Sequence, residues 1–166
     1  GRRRRLLFAR IGSDLAHPLQ RLGHGIGGTK VGVELEVIEE RRLTQGLLDA
    51  LLGEALVMMN EPTQAEPVLR TALALGATTA STYKNLGLTL AATGRFDEAI
   101  EYIEQALARQ PESVAAQYSR ASILRTAGRT EEARLQYQKL LAQRPSHAAA
   151  AAGLDVLMRT ATQTLR

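Results

Sequence analysis

The residues that invite a chemical reading lie near the start of the chain. Gly23, Gly25 and Gly28 satisfy the spacing GxGxxG, the pattern of a loop that cradles a dinucleotide pyrophosphate on backbone N–H groups. Such a loop needs a buried strand before it and a helix that opens at the glycines. The preceding Ala16-His17-Pro18-Leu19-Gln20-Arg21 is no such strand, and Gly28-Thr29-Lys30 reverses the Lys-Thr order of a phosphate-binding P-loop. A flexible linker is the expectation. His17 and His24 stand seven residues apart, and His147 lies far from both. Metal sites want three or four converging ligands with outer support, and a chain without cysteine offers no thiolate to complete one. Surface histidines are therefore expected. No Ser/His/Asp set is suggested, and the glutamates recur at outward helix positions, as on a solvated face. These residues assign no cofactor, no metal and no catalytic group, so the chain is not expected to be an enzyme.

Charge is unevenly placed. Residues 1–45 carry nine Lys and Arg against five Asp and Glu, while residues 46–166 carry twelve of each. The net +4 thus belongs to the leading segment, which weakens any reading of the whole chain as a nucleic-acid binder. Arg2, Arg3, Arg4 and Arg5 could tether phosphate backbones or an anionic surface, but no aromatics are interleaved among them. The apolar run that follows, Leu6-Leu7-Phe8-Ala9, ends at Arg10, short of the roughly 7–15 residues of a signal peptide. No run approaches the roughly 20 apolar residues of a membrane span. The lack of cysteine fits a reducing compartment, and a cytoplasmic location is the expectation.

The elements that must position any site are legible as a period. Asn85-Leu86-Gly87, Gly94-Arg95, Glu98-Ala99, Ala106-Leu107 and Pro111 are followed 34 residues later by Gly128-Arg129, Glu132-Ala133, Leu140-Leu141 and Pro145. The same step backwards gives Leu52-Gly53, Gln64-Ala65 and Ala72-Leu73. A fixed period of this length marks stacked helix–turn–helix units. Apolar content is 45% with 4% aromatic, so the core is built from Ala and Leu, which favours thin, close-packed helices. Within residues 80–113, Ser81 or Thr82 can cap a first helix and Gly94 suits the left-handed residue that ends it. Asp97 sits at the start of a second helix, where its charge suits the dipole, and Pro111 ends that helix. Ser146 can cap a last helix reaching about Leu165.

These residues resemble the tetratricopeptide repeat family. Its recurrent aromatic, leucine, small and proline positions fall on Tyr83, Leu86, Gly87, Leu90, Ala99, Ile103, Ala106 and Pro111. One repeat later they fall on Gln117, Arg120, Ala121, Leu124, Ala133, Tyr137, Leu140 and Pro145, and one repeat earlier on Asp49, Leu52, Gly53, Leu56, Ala65, Leu69, Ala72 and Ala77. Asp49 departs from the aromatic. Pro62 and Pro67 predict a second helix of the first repeat that begins late or kinks. Arg120, at a usually buried place, must pack its stem and keep its head in water or paired. The resemblance implies an all-α, right-handed solenoid of three helix–turn–helix repeats and a C-terminal capping helix: residues 46–79, 80–113, 114–147 and 148–165. Residues 1–32 are expected to be a poorly ordered basic leader. In residues 33–45, the alternation of Val31, Val33, Leu35 and Val37 reads as strand, and Glu34 to Leu43 equally as helix.

Carried over residue by residue, the family's concave ligand-binding face implies Lys84, Asn85, Leu88, Tyr118, Ser119, Ser122, Arg125 and Arg159 as partner-binding residues. Leu47, Leu51, Val57 and Met58 either extend that face as an apolar end or pack against the preceding segment, and Glu54 is the acid expected there. The family's carboxylate clamp is not matched, because Leu88 and Ser119 stand where it places asparagines. The reading is a non-catalytic scaffold for a protein or peptide partner, acidic toward the C-terminal repeats. The alternatives are the accessory part of a larger bacterial enzyme, such as a transferase with its catalytic domain elsewhere, and nucleic-acid tethering by the leader.

Overall fold

The computed structural model describes residues 30–163, and among them it is helical throughout its regular structure. Seven helices follow one another: α1 (Lys30–Met58), α2 (Pro62–Ala74), α3 (Ala80–Ala92), α4 (Phe96–Arg109), α5 (Val114–Thr126), α6 (Thr130–Gln143) and α7 (Ala148–Gln163). The chain divides into two compact units, residues 1–41 and 42–166. Of the first, residues 30–41 are the opening turns of α1, with Leu35, Val37 and Ile38 exposed. The strand-like alternation around Val33 is therefore helix. The Gly-rich loop, His17, His24 and Arg2 to Arg5 lie outside the described residues.

The second unit is three helix pairs and a closing helix. Small residues set the pairing distance. A Cβ added to Gly53 would sit 2.4 Å from Leu69, and one added to Gly87 would sit 2.9 Å from the Ala99 carbonyl oxygen and from Ile103. Ala121, one repeat on, is fully buried, as are Ala65, Ala99 and Ala133 across the pairs. The largest buried side chains (Leu69, Leu86, Leu90, Ile103, Leu124, Tyr137 and Leu140) fill the space between them.

The turns repeat as faithfully as the core. Asn60, Gly94 and Gly128 stand one repeat apart, and all three have positive φ, at 59°, 82° and 77°. In each, the next N–H closes a six-residue loop: Glu61 to Leu56, Arg95 to Leu90 and Arg129 to Leu124, at 2.9–3.0 Å. This satisfies the carbonyls that a helix end orphans, and asparagine joins glycine because its side chain tolerates the left-handed region. The caps of α3, α5 and α7 obey the same period. Thr79 accepts from the N–H of Thr82, Ser113 from that of Ala116, and His147, through Nδ1, from that of Ala150 at 3.1 Å. Ser81, Thr82 and Ser146 are thus not the caps. The chain enters each helix two residues after Ala77, Pro111 or Pro145, so the cap falls two or three residues before Ser81 and Thr82 and one after Ser146. Nor does α2 begin late. Pro62 occupies its start, where a missing N–H costs nothing, and the helix runs on through Pro67.

On the side formed by α2 and α4, long polar side chains cross from one repeat to the next. Arg70 donates to Glu98 at 2.7 Å, to Glu66 at 3.1 Å and to the Tyr102 hydroxyl at 3.3 Å. Arg95 pairs with Glu66 at 2.6 Å and also with Glu98. Burial would push the Glu66 carboxyl up, but hydrogen bonds from Arg95 and Arg70 outweigh it and hold it below its ordinary 4.5. The hydrogen bond from Arg70 above all, with that from Arg95, holds Glu98 low as well.

Two predictions follow from this packing. Gly87→Val and Ala99→Leu should each destabilise the fold by about 1–3 kcal/mol through overpacking, whereas the same enlargement at exposed Ala108 should change the melting temperature little. Unchanged melting for the first two would mean a different repeat phase. The second concerns acid. A carboxyl whose folded value is depressed contributes stability above its unfolded value and loses it as pH falls through the folded one. Melting temperature should therefore decline as pH drops below 4.5, and a Glu66→Gln/Glu98→Gln double variant should show a shallower acid slope. The pairs are largely exposed, so the difference should amount to a few degrees at most.

Candidate functional site

The first helices of the repeats, α3, α5 and α7, touch their counterparts directly, so they form the tighter layer of the second unit. The opposite layer is bridged by arginine and glutamate side chains. The surface of that tighter layer, together with α1 from residue 42, is the candidate binding face.

Its ends differ. Between α1 and α3 lie two depressions. One, of about 110 Å³, is lined by Leu47, Ala50, Leu51, Glu54, Thr79, Ser81, Thr82 and Asn85. The other, of about 200 Å³, is lined by Val57, Asn60, Glu61, Pro62, Leu88, Thr89 and Ala92. Leu47, Leu51 and Val57 thus contribute to walls shared with α3, while Met58 is 82% exposed and belongs to neither depression. Glu54 is not the sole acid, since Glu61 borders the second depression.

Beneath them runs a buried polar row, Thr82, Asn85 and Thr89, at three- and four-residue spacing. The Thr89 hydroxyl donates to the Asn85 carbonyl at 2.8 Å, and the Thr79 and Thr82 hydroxyls bond each other at 2.9 Å. Asn85 is 3% exposed and Ser119 6%, so both are floor residues and not the open contacts the carried-over positions imply. The sequence signal that could have found Thr82 and Thr89 is their three- and four-residue helical spacing from Asn85.

Toward the C-terminal repeats the face becomes aromatic and basic. Tyr118 is half-buried, its ring centroid 6.1 Å from that of Tyr137 and 5.4 Å from that of His147. The cap that His147 makes through Nδ1 places its ring proton on Nε2, and it fixes the imidazole against Tyr118. His147 is therefore a structural residue of this face and not a free surface histidine. Tyr137 is fully buried under Gly153, where an added Cβ would sit 2.6 Å from its ring. Lys84 and Ser122 are half-buried and Arg125 is exposed, and neither Lys84 nor Arg125 has an ion-pair partner among the described residues. Arg159 does, bonding Asp155 at 2.8 Å, so its charge is compensated. Arg120 pairs with Glu104 at 2.9 Å on the opposite side and lines a depression there with Leu107, Pro111 and Leu140. Among the described residues no three His, Cys, Asp or Glu side chains gather as metal ligands, and no helix is long and apolar enough to cross a membrane.

The sequence profile of the tetratricopeptide repeat matches residues 51–102 and 84–148. The chain belongs to the tetratricopeptide repeat family. Arrays of this family generally serve as protein- or peptide-binding scaffolds. The second such domain of human RPAP3, solved with the HSP70 peptide SGPTIEEVD, is similar at TM-score 0.63 and 16% identity, covering 70% of this chain and 98% of that one. The Arabidopsis OM64 domain gives 0.65 and 18%, covering 72% and 98%. YrrB, described as having an unusual peptide-binding site, gives 0.60 and 26%, covering 65% and 56%. No curated protein matches the chain by sequence.

The cap geometry makes a prediction of its own. His147→Ala should lower stability by about 1 kcal/mol, the common cost of a lost helix cap. His147→Asn, which restores an acceptor without the ring, should recover most of that loss in a thermal melt. Equal loss in both variants would show that ring packing on Tyr118, and not the cap, is what His147 supplies.

Proposed function

We propose that the second unit is a non-catalytic scaffold whose α1–α3–α5–α7 face holds an extended segment of a protein partner. The observation that carries this reading is the combination of Tyr118, braced by His147 and Tyr137, with the uncompensated charges of Lys84 and Arg125. A half-buried aromatic held rigid by its neighbours makes a good anchor, because little conformational entropy remains to be lost on binding. Two cations without acidic partners favour a carboxylate on the ligand. Arg159 contributes less than the other two, since Asp155 already satisfies it. Toward α1, the depressions walled by Leu47 and Leu51 and by Val57 and Leu88 suit an apolar side chain. The preferred segment is thus acidic near Tyr118 and apolar near α1. Asn85 and Ser119 shape the floor, Ser122 and Leu88 the walls.

Panning a library of linear peptides against the protein, followed by calorimetry on the enriched sequences, tests this. Tyr118→Ala and Arg125→Ala should each cost at least about 1 kcal/mol, or fivefold in affinity, and Glu101→Ala on the other side should cost little. Full binding by both inner variants with loss in the Glu101 variant would put the site on the α2–α4–α6 side.

A further inference from the structure

The smaller depression between α1 and α3 holds two polar groups that the chain itself does not answer. Asn85 is 3% exposed, yet its side-chain amide makes no hydrogen bond among the described residues. Its backbone carbonyl takes the Thr89 hydroxyl, and the amide is left over beside the depression that Asn85 lines. Buried amides are almost always bonded, and one left without partners is costly. Glu54, half-buried in the same wall, is also without an ion pair or hydrogen bond among the described residues. Elsewhere in the second unit, Glu66, Glu98, Glu104 and Glu132 pair with arginines, while Glu101 and Glu112 are open to water. A half-buried, uncompensated carboxylate beside an unbonded amide departs from that pattern and calls for a partner from outside.

We propose that this depression receives a lysine side chain of the bound segment. Its volume of about 110 Å³ accepts one long side chain. Leu47, Ala50 and Leu51 offer an apolar wall to the methylenes, and the ammonium ends among Glu54, the Asn85 amide oxygen and the Ser81 hydroxyl. Lysine suits these three acceptors better than arginine, because its compact head donates in three directions and a guanidinium donates in one plane. The start of α3 brings the positive end of its dipole to the same depression, about half a charge against the full charge of Glu54. Lys84, the neighbour of Asn85 in sequence, does not line it. The net field thus favours a cation here, whereas Lys84 and Arg125 favour a carboxylate further along. The inference rests on the peptide reading of this face and gives it a polarity. The segment carries a lysine toward α1 and its acid toward Tyr118.

Side-chain amide NMR spectra of the nitrogen-15-labelled full chain, titrated with n-butylammonium chloride as a stand-in for the lysine head, test this without a peptide. The Asn85 amide pair should shift saturably, and 1-butanol and sodium butyrate at equal ionic strength should bind at least about tenfold more weakly. Glu54→Gln, which keeps the shape and removes the charge, should weaken the butylammonium titration by a similar factor. Comparison of the three probes on the unaltered chain decides the matter even if that variant fails to fold. No saturable shift with butylammonium, or equal or tighter binding of butanol or butyrate, would overturn the proposal and leave the peptide reading at Tyr118 and Arg125 standing. Enrichment of no peptide, with butylammonium still binding, would put the failure on the peptide reading instead.

Discussion

The structure depends on one constraint: the backbones of paired helices must come close enough that nothing larger than a methyl group fits between them. At Gly53, Gly87 and Ala121, spaced one repeat apart, the first helix of each pair lies against the second, and Ala65, Ala99 and Ala133 answer from the other side. Once that distance is set, medium-sized aliphatic side chains fill the remaining space, and the chain needs few aromatics. Among the described residues the one fully buried aromatic, Tyr137, is accommodated because Gly153 of the closing helix has no side chain to meet it.

Close pairing also separates the two layers chemically. Between α1 and α3 runs a row of small polar residues, Thr82, Asn85 and Thr89, with the threonine hydroxyls bonded locally, and the outer surface of α3 and α5 is left to be lined by Lys84, Leu88, Tyr118, Ser122 and Arg125. Across the other layer, Arg70, Arg95 and their glutamates span from repeat to repeat. Those cations are committed to structure. Lys84 and Arg125 are not, and this contrast gives the tighter layer its claim to a ligand.

Much of this is legible in the sequence, because the residues that set helix spacing recur in one register. Gly87 and Ala99 identify the contact, Gly94 and Gly128 the turns, and Pro111 and Pro145 the helix exits. What is hard to read is whatever fills an equivalent position by different chemistry. Asn60 does the work of Gly94, and His147 that of Thr79 and Ser113, yet nothing in their names says so. Prolines mislead in α2, since Pro62 harms nothing at a helix start. Depth is also hidden. Asn85 and Ser119 lie at positions that face a ligand in the family, and here both are buried, Asn85 at the floor of a depression. The unpaired state of Arg125, against the paired state of Arg159, depends on Asp155 standing one helical turn away, which a position-by-position reading overlooks.

The central claim is the helix-to-helix contact at the small residues, and isotope-edited NOE spectroscopy on the methyl-labelled chain examines it most directly. Cross-peaks are predicted from the Gly87 α-protons to the Ile103 methyls, and from the Gly53 α-protons to the Leu69 methyls, among the strongest between helices. Strong cross-peaks from those methyls to other first-helix positions, with none to the glycines, would contradict the assigned pairing.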